Sequence, residues 1–293
     1  MSKKDKEPDM KFNYDRTRKR VIREIRKYEP SFTMGQKKEN LILRLNSNIY
    51  KLTAILIIAI ALGSAIYKQN KTKNMNSALA VQYYTTKPGE NLKCTLSDGS
   101  VIRLNGGSSI QFAKKFTSEK REIKITGEAY CIIAKDKKRP FVVDLGDYKV
   151  EVLGTTFNVN AYQEDQCISI ALVEGKVKVH QTKDEQILLK PEEMVTFDKK
   201  TQEHVKSRFD VENVTGWKNK VFVFDNVPIL EVLKKLARRY GVTFKTEGLE
   251  GTKIRINAKF ADESLATILK AISYGTELKF EVIENNLVKV QIK

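Results

Sequence analysis

Residues 96–108, LSDGSVIRLNGGS, set the four-residue stretch Val101-Ile102-Arg103-Leu104, apolar but for Arg103, between two clusters of turn-forming residues. Ser97-Asp98-Gly99-Ser100 and Asn105-Gly106-Gly107-Ser108 combine glycines, which tolerate positive φ, with Asx and Ser side chains that bond their own backbone. The same punctuation recurs outward from this stretch, at Gly146-Asp147 and Glu174-Gly175. Apolar and polar residues alternate between the turns from residue 92 to residue 198, the pattern of half-buried strands. About eleven strands fit, which predicts an all-β sandwich, jelly roll or β-helix. The cysteines Cys94, Cys131 and Cys167 lie in these stretches. With an odd count and no CxxC pair they read as small core fillers, not as a disulfide framework or metal site.

The pattern changes after residue 220. Phe224, Ile229, Val232, Leu233, Leu236, Val242 and Phe244 recur 36 residues later as Phe260, Leu265, Ile268, Leu269, Ile272, Leu278 and Phe280. Each copy reads strand, short turn, helix, strand, with the helix burying an i, i+3, i+4, i+7 face. A unit that cannot cover its own apolar face packs on its duplicate, so two βαβ repeats form one small α+β domain. Its sheet edges are candidate docking sites for another strand. Phe222, Phe224, Ile254 and Ile256 are the candidate contact residues.

Upstream, residues 52–66, LTAILIIAIALGSAI, carry no charge. Extended to 49–67 the segment is roughly 28 Å long as a helix, close to the ~30 Å hydrocarbon core of a bilayer. Lys51 and Lys68 bracket it, with Tyr50 and Tyr67 at headgroup level. A soluble core helix needs a polar stripe, and only Thr53 and Ser64 interrupt the run. A cleaved signal peptide does not carry a 51-residue charged leader. One retained transmembrane helix is therefore expected.

Orientation follows from charge. Residues 1–51 hold 15 Lys and Arg against 7 Asp and Glu, out of 53 and 36 in the whole chain of net charge +17. The immediate flanks tie, but the short basic tail as a whole favours the cytoplasm and attraction to anionic inner-membrane lipid. Within the tail, residues 15–28 read as a basic helix with Asp15 as N-cap, Pro30 beyond its end, and Val21, Ile22, Ile25 and Tyr28 on one face. Leu41, Ile42, Leu45 and Ile49 keep helical spacing toward the span. Zinc-finger spacing and RNP-type aromatics are missing, so no direct nucleic-acid partner is expected despite the positive charge.

The expected layout is a multi-domain membrane protein: a basic helical tail (1–48), a transmembrane helix (49–67), a linker (68–84), an all-β jelly-roll or β-helix-like domain (85–210) and an α+β domain (211–293).

Several ordered motifs resemble the FecR family across roughly residues 85–293. They are the run from Leu96 quoted above, Gly127-Glu128-Ala129-Tyr130, Arg139-Pro140-Phe141-Val142-Val143, and Val152-Leu153-Gly154-Thr155-Thr156-Phe157-Asn158-Val159. Val173-Glu174-Gly175-Lys176-Val177, Leu189-Lys190-Pro191, Trp217-Lys218 and the stretch from Phe222 to Pro228 follow. The terminal repeat is similar to a domain of Bacteroidetes members that resembles the short N-terminal domain of secretins and TonB receptors. The resemblance implies an anti-sigma regulator of the inner membrane with its C-terminal domains in the periplasm. An outer-membrane TonB-dependent receptor, loaded with iron chelate or glycan, would signal through it to a cytoplasmic extracytoplasmic-function sigma factor, with an intramembrane protease as a further partner. The tail here departs from the family pattern in being shorter and lacking tryptophan; it reads as a variant sigma binder, with the face of Val21, Ile22 and Ile25 as the candidate sigma contacts. The alternative reading is a structural envelope or secretion component with a secretin-like domain.

No enzyme chemistry is expected. His180 and His204, in apparent strand and loop, stand in no nucleophile–base motif. Gly106-Gly107 opens no helix that could cradle a phosphate, and no carboxylate pair suggests glycoside hydrolysis. Neither a cofactor nor a metal is expected. In some FecR-like proteins a dipeptide corresponding to Gly154-Thr155 cleaves itself. A glycine that lets a strand bend accounts for the same residues, and is the preferred reading.

Overall fold

The computed structural model describes residues 14–27, 47–181, 186–249, 251–284 and 286–293. Two units divide the chain, Met1–Ser64 and Ala65–Lys293.

The first unit contains helix α1 (Tyr14–Lys27) and most of helix α2 (Ser47–Leu79). Asp15 lies inside α1 and so is not its N-cap. Tyr28, Pro30, Leu41, Ile42 and Leu45 lie outside the described residues. In α2 the window Lys51–Lys68 has mean hydropathy 1.7 and none of it is buried, so this helix is long and apolar enough to cross a membrane. The helix runs on to Leu79. The segment expected as a linker is thus mostly helical, and the β-region begins directly behind it.

The second unit opens with thirteen strands: β1 (Val81–Thr85), β2 (Leu92–Thr95), β3 (Val101–Leu104), β4 (Ser109–Ala113), β5 (Arg121–Ile132), β6 (Phe141–Asp144) and β7 (Tyr148–Val152). Then come β8 (Thr156–Ala161), β9 (Cys167–Glu174), β10 (Val177–Gln181), β11 (Gln186–Leu189), β12 (Glu193–Asp198) and β13 (His204–Arg208). Eleven of them, β2 to β12, fill the interval read as strands. All thirteen belong to one sheet, curled about its longest strand, β5. The first half of β5 pairs with β4 and with parallel β6; the second half pairs with β3 and β8. Gly127 marks the changeover at φ 91°. A Cβ there would stand 2.4 Å from Ser108 Oγ, so only glycine lets the sheet fold at this point.

The two wings, β11-β10-β7-β6 with β4 and β1 on one side and β3, β2, β8, β9, β12 and β13 on the other, close over one core. Inward positions along β5, from Ile123 and Ile125 to Ala129 and Cys131, feed it. Cys131 is buried and Cys94 half-buried, as core filling requires, but Cys167 at the start of β9 is exposed and fills nothing. His204 is the first residue of β13, not a loop residue.

A helical corner leads onward: α3 (Val211–Thr215), capped by the Asp210 carboxylate accepting from the Glu212 and Asn213 amides, and a 3-10 turn at Gly216–Asn219. The repeat follows as β14 (Val221–Pro228), α4 (Ile229–Tyr240) and β15 (Thr243–Lys245), then β16 (Arg255–Ala261), α5 (Leu265–Gly275) and β17 (Leu278–Glu284). Both helices start 36 residues apart, as the pattern predicts. A further strand, β18 (Leu287–Ile292), was not part of that pattern. It lies between β15 and β17 and joins the two copies, while β14 and β16 pair with each other. Ile229, Val232, Leu233 and Leu236 of α4 meet Ile268, Leu269 and Ile272 of α5 in a second core.

Candidate functional site

The motifs of the β-region converge on two buried polar clusters. The first joins three segments distant in sequence. Arg121 occupies an inward position of β5 and is fully buried, paired with the equally buried Asp98 at 2.8 Å. Its guanidinium also donates to the carbonyls of Ala134 and Arg139 and lies over the Phe141 ring. Asp98 accepts in addition from the amide and hydroxyl of Ser100. The Ser-Asp-Gly-Ser turn and the Arg-Pro-Phe segment are therefore two walls of one charge pocket.

The second cluster lies where the C-terminal repeat meets the outer face of the sheet. Glu128 accepts from the side-chain amides of Asn105 and Asn158, at 2.8 and 3.0 Å. Asn158 in turn accepts from the Trp217 indole at 3.2 Å. Burial pushes the Glu128 carboxyl above its ordinary value, partly offset by those two amides and by the nearby charges of Lys235 and Arg238. Arg238 lies over the Tyr162 ring, 3.6 Å from its centroid, and its guanidinium donates to Asp165 and Glu164. The backbone carbonyl of Arg238 accepts from the Gly89 amide at 2.7 Å. Tyr162 donates to the Gly106 carbonyl, and Lys218 covers the Tyr130 ring. Residues 127–131 of β5 are thus buried on both faces, by the core and by the helical corner and repeat.

Of the sequence-derived candidates, Val21 and Ile22 of α1 are about half exposed, at 52% and 46%, and open to contact. Ile25 lies on the same helix. Phe222, Phe224 and Ile256 are buried and Ile254 is half-buried, so the expectation that these residues form a contact surface is corrected. The first three are core side chains, and Phe222 and Phe224 stack on each other. Exposed apolar residues of this region include Val282 and Ile283 on β17, beside Tyr274 of α5 and Ile292 of β18. Among the described residues β17 pairs with β18 alone, which leaves its other edge open.

Gly154 has φ 149°, and a Cβ there would meet the Cα of Lys135 at 2.7 Å. Thr155 is buried, and its hydroxyl donates to the Lys176 carbonyl at 2.9 Å. That bond ties the entry of β8 to the turn before β10, a structural task for the hydroxyl. The purified chain is therefore expected to run as a single band of 33.5 kDa, unchanged in Thr155→Ala. The variant should lose about 1 kcal/mol of stability with the hydrogen bond; fragments in the wild type that vanish in the variant would mean cleavage at this site. Among the described residues no group of three or more His, Cys, Asp or Glu could hold a metal ion.

Residues 82–178 match the family model described as FecR protein, and residues 221–290 match the model described as FecR, C-terminal. The chain belongs to the FecR family. The first match spans the sheet from β1 into β10, and the second spans the repeat. This FecR-family chain is similar to a candidate anti-sigma factor from Parabacteroides distasonis ATCC 8503, known from crystal structures at 1.65 and 2.50 Å. Identity is 29% and the TM-score 0.67 in both comparisons. The alignments cover 72% and 73% of this chain, and 99% and 100% of the crystallised ones. No curated protein matches the chain. Family and structural likeness together support an anti-sigma regulator.

Proposed function

We propose that this FecR-family protein is a single-pass inner-membrane anti-sigma regulator that relays a signal from an outer-membrane TonB-dependent receptor to an extracytoplasmic-function sigma factor. The observation that carries the proposal is the apolar window Lys51–Lys68, without a buried residue, between a basic helix and a FecR body. An exposed apolar surface of this length is stable in a bilayer and not in water. The basic tail then lies in the cytoplasm and the β-rich body in the periplasm, and the chain couples the two compartments. In the tail, the α1 face bearing Val21 and Ile22 takes the sigma factor. In the body, the open β17 edge offers backbone groups for strand addition by a receptor domain.

The test is retention of the sigma factor encoded beside this chain. The detergent-solubilised full-length protein should hold it on an affinity column. The double substitution Val21→Asp and Ile22→Asp should lower retention at least tenfold, since two apolar contacts are replaced by charges that stay hydrated. Equal retention by the variant, or none by the wild type, would contradict the assignment.

A further inference from the structure

We infer that the cavity between the outer face of the sheet and helix α4 binds a small neutral polyhydroxyl ligand of monosaccharide size. The registers of β5, β8, β9 and β12 place Glu128 opposite Asn160, Asn160 opposite Ser169, and Ser169 opposite Thr196. Four polar side chains thus form one straight row across four strands. On an uncovered sheet such a row would simply be solvated. Here α3 and α4 stand over it, with Asn213 and Lys235 facing the row across a cavity of 430 Å³. That volume lies within the range of about 300–1,000 Å³ found for small-molecule sites.

Two properties of the cavity define its ligand. The first is hydrogen-bonding capacity: the side chains of Asn160, Ser169 and Thr196 are half-buried and make no hydrogen bond among the described residues. Amides and hydroxyls that both donate and accept are the natural partners of vicinal hydroxyl groups. The second is charge. Asp165 and Glu231 on the rim are already matched by Arg238 and Lys234. Glu128, already held by the Asn105 and Asn158 amides, and Lys235 remain on opposite walls, so the lining offers no unpaired cluster of one sign to an ion. Met194 and Val214 supply the small apolar area on which the C–H face of such a ligand rests.

The full-length chain in detergent micelles should show saturation transfer to D-glucose, D-galactose, D-mannose or myo-inositol, with at least one binding at millimolar affinity or tighter. D-glucuronate and D-glucosamine should bind at least tenfold more weakly than that compound. Ser169→Leu fills the cavity from one strand and should weaken binding tenfold or more. Thr196→Val keeps the shape and removes one hydroxyl, so it cannot fail through bulk; it should weaken binding about two- to tenfold. No transfer to any of the four neutral compounds, equal affinity for the charged sugars, or undiminished binding in both variants would overturn the proposal.

Discussion

Replacing Arg121 by methionine is expected to lower the unfolding free energy of the FecR body by about 3–5 kcal/mol, the usual cost of leaving one partner of a buried ion pair behind. Methionine fills much of the volume, so the loss is not a cavity effect. It arises because Asp98, buried beside the guanidinium, would keep only the amide and hydroxyl of Ser100. The carbonyls of Ala134 and Arg139 would lose their donors as well. For a unit of this size the melting temperature should fall by roughly 6–20 °C. Adding Asp98→Asn removes the stranded charge and should recover part of the loss. A calorimetric melt of the single and double variants checks both statements; a single variant within about 1 kcal/mol of wild type would mean that the pair is not buried as described.

Gly106→Ala should release the C-terminal repeat from the sheet. No unusual φ requires glycine here. A Cβ would lie 2.2 Å from the Arg238 carbonyl oxygen, a backbone atom with no rotamer into which to retreat. That oxygen accepts from Gly89, and the Arg238 side chain holds Asp165 and lies over Tyr162. Moving the carbonyl therefore disturbs all the contacts that Arg238 makes across the junction at once. Overpacking of this kind costs about 1–3 kcal/mol, and here it falls on a single interface. The wild-type body should melt in one transition and the variant in two, with protease gaining entry near α3. Gly275→Ala, where a Cβ meets nothing within 4 Å, serves as the control. One transition in both variants would show that Gly106 does not hold the junction.

What could be read from the chain was what depends on local period. Alternation and glycine turns gave the strands from β2 to β12, because a strand's inward phase is written in successive residues. The offset of 36 gave both helices of the repeat, because each copy buries the same helical face. The polar clusters were hidden because their partners stand far apart in sequence: Asp98 and Arg121 by 23 positions, Tyr162 and Arg238 by 76. One local signal pointed to the first of them. Arg121 shares the inward phase of Ile123 and Ile125, and a charged residue in that phase needs a buried partner. Glu128 gave no such signal, since it lies in the outward phase and is buried only by another part of the chain. The same blindness misplaced Phe222, Phe224 and Ile256: a sheet in which every strand has an open edge still buries one face, and sequence period does not say which partner covers it. β18 escaped because it has no counterpart in the first copy of the repeat.

The division of the chain between two compartments is tested most directly by protease treatment of intact spheroplasts carrying the full-length protein with a different tag at each end. The protein should fractionate with membranes, the C-terminal tag and the β-rich body should be digested from outside, and an N-terminal fragment ending near Lys68 should survive. Recovery of the chain in the soluble cytosol, or equal digestion of both tags, would contradict that division.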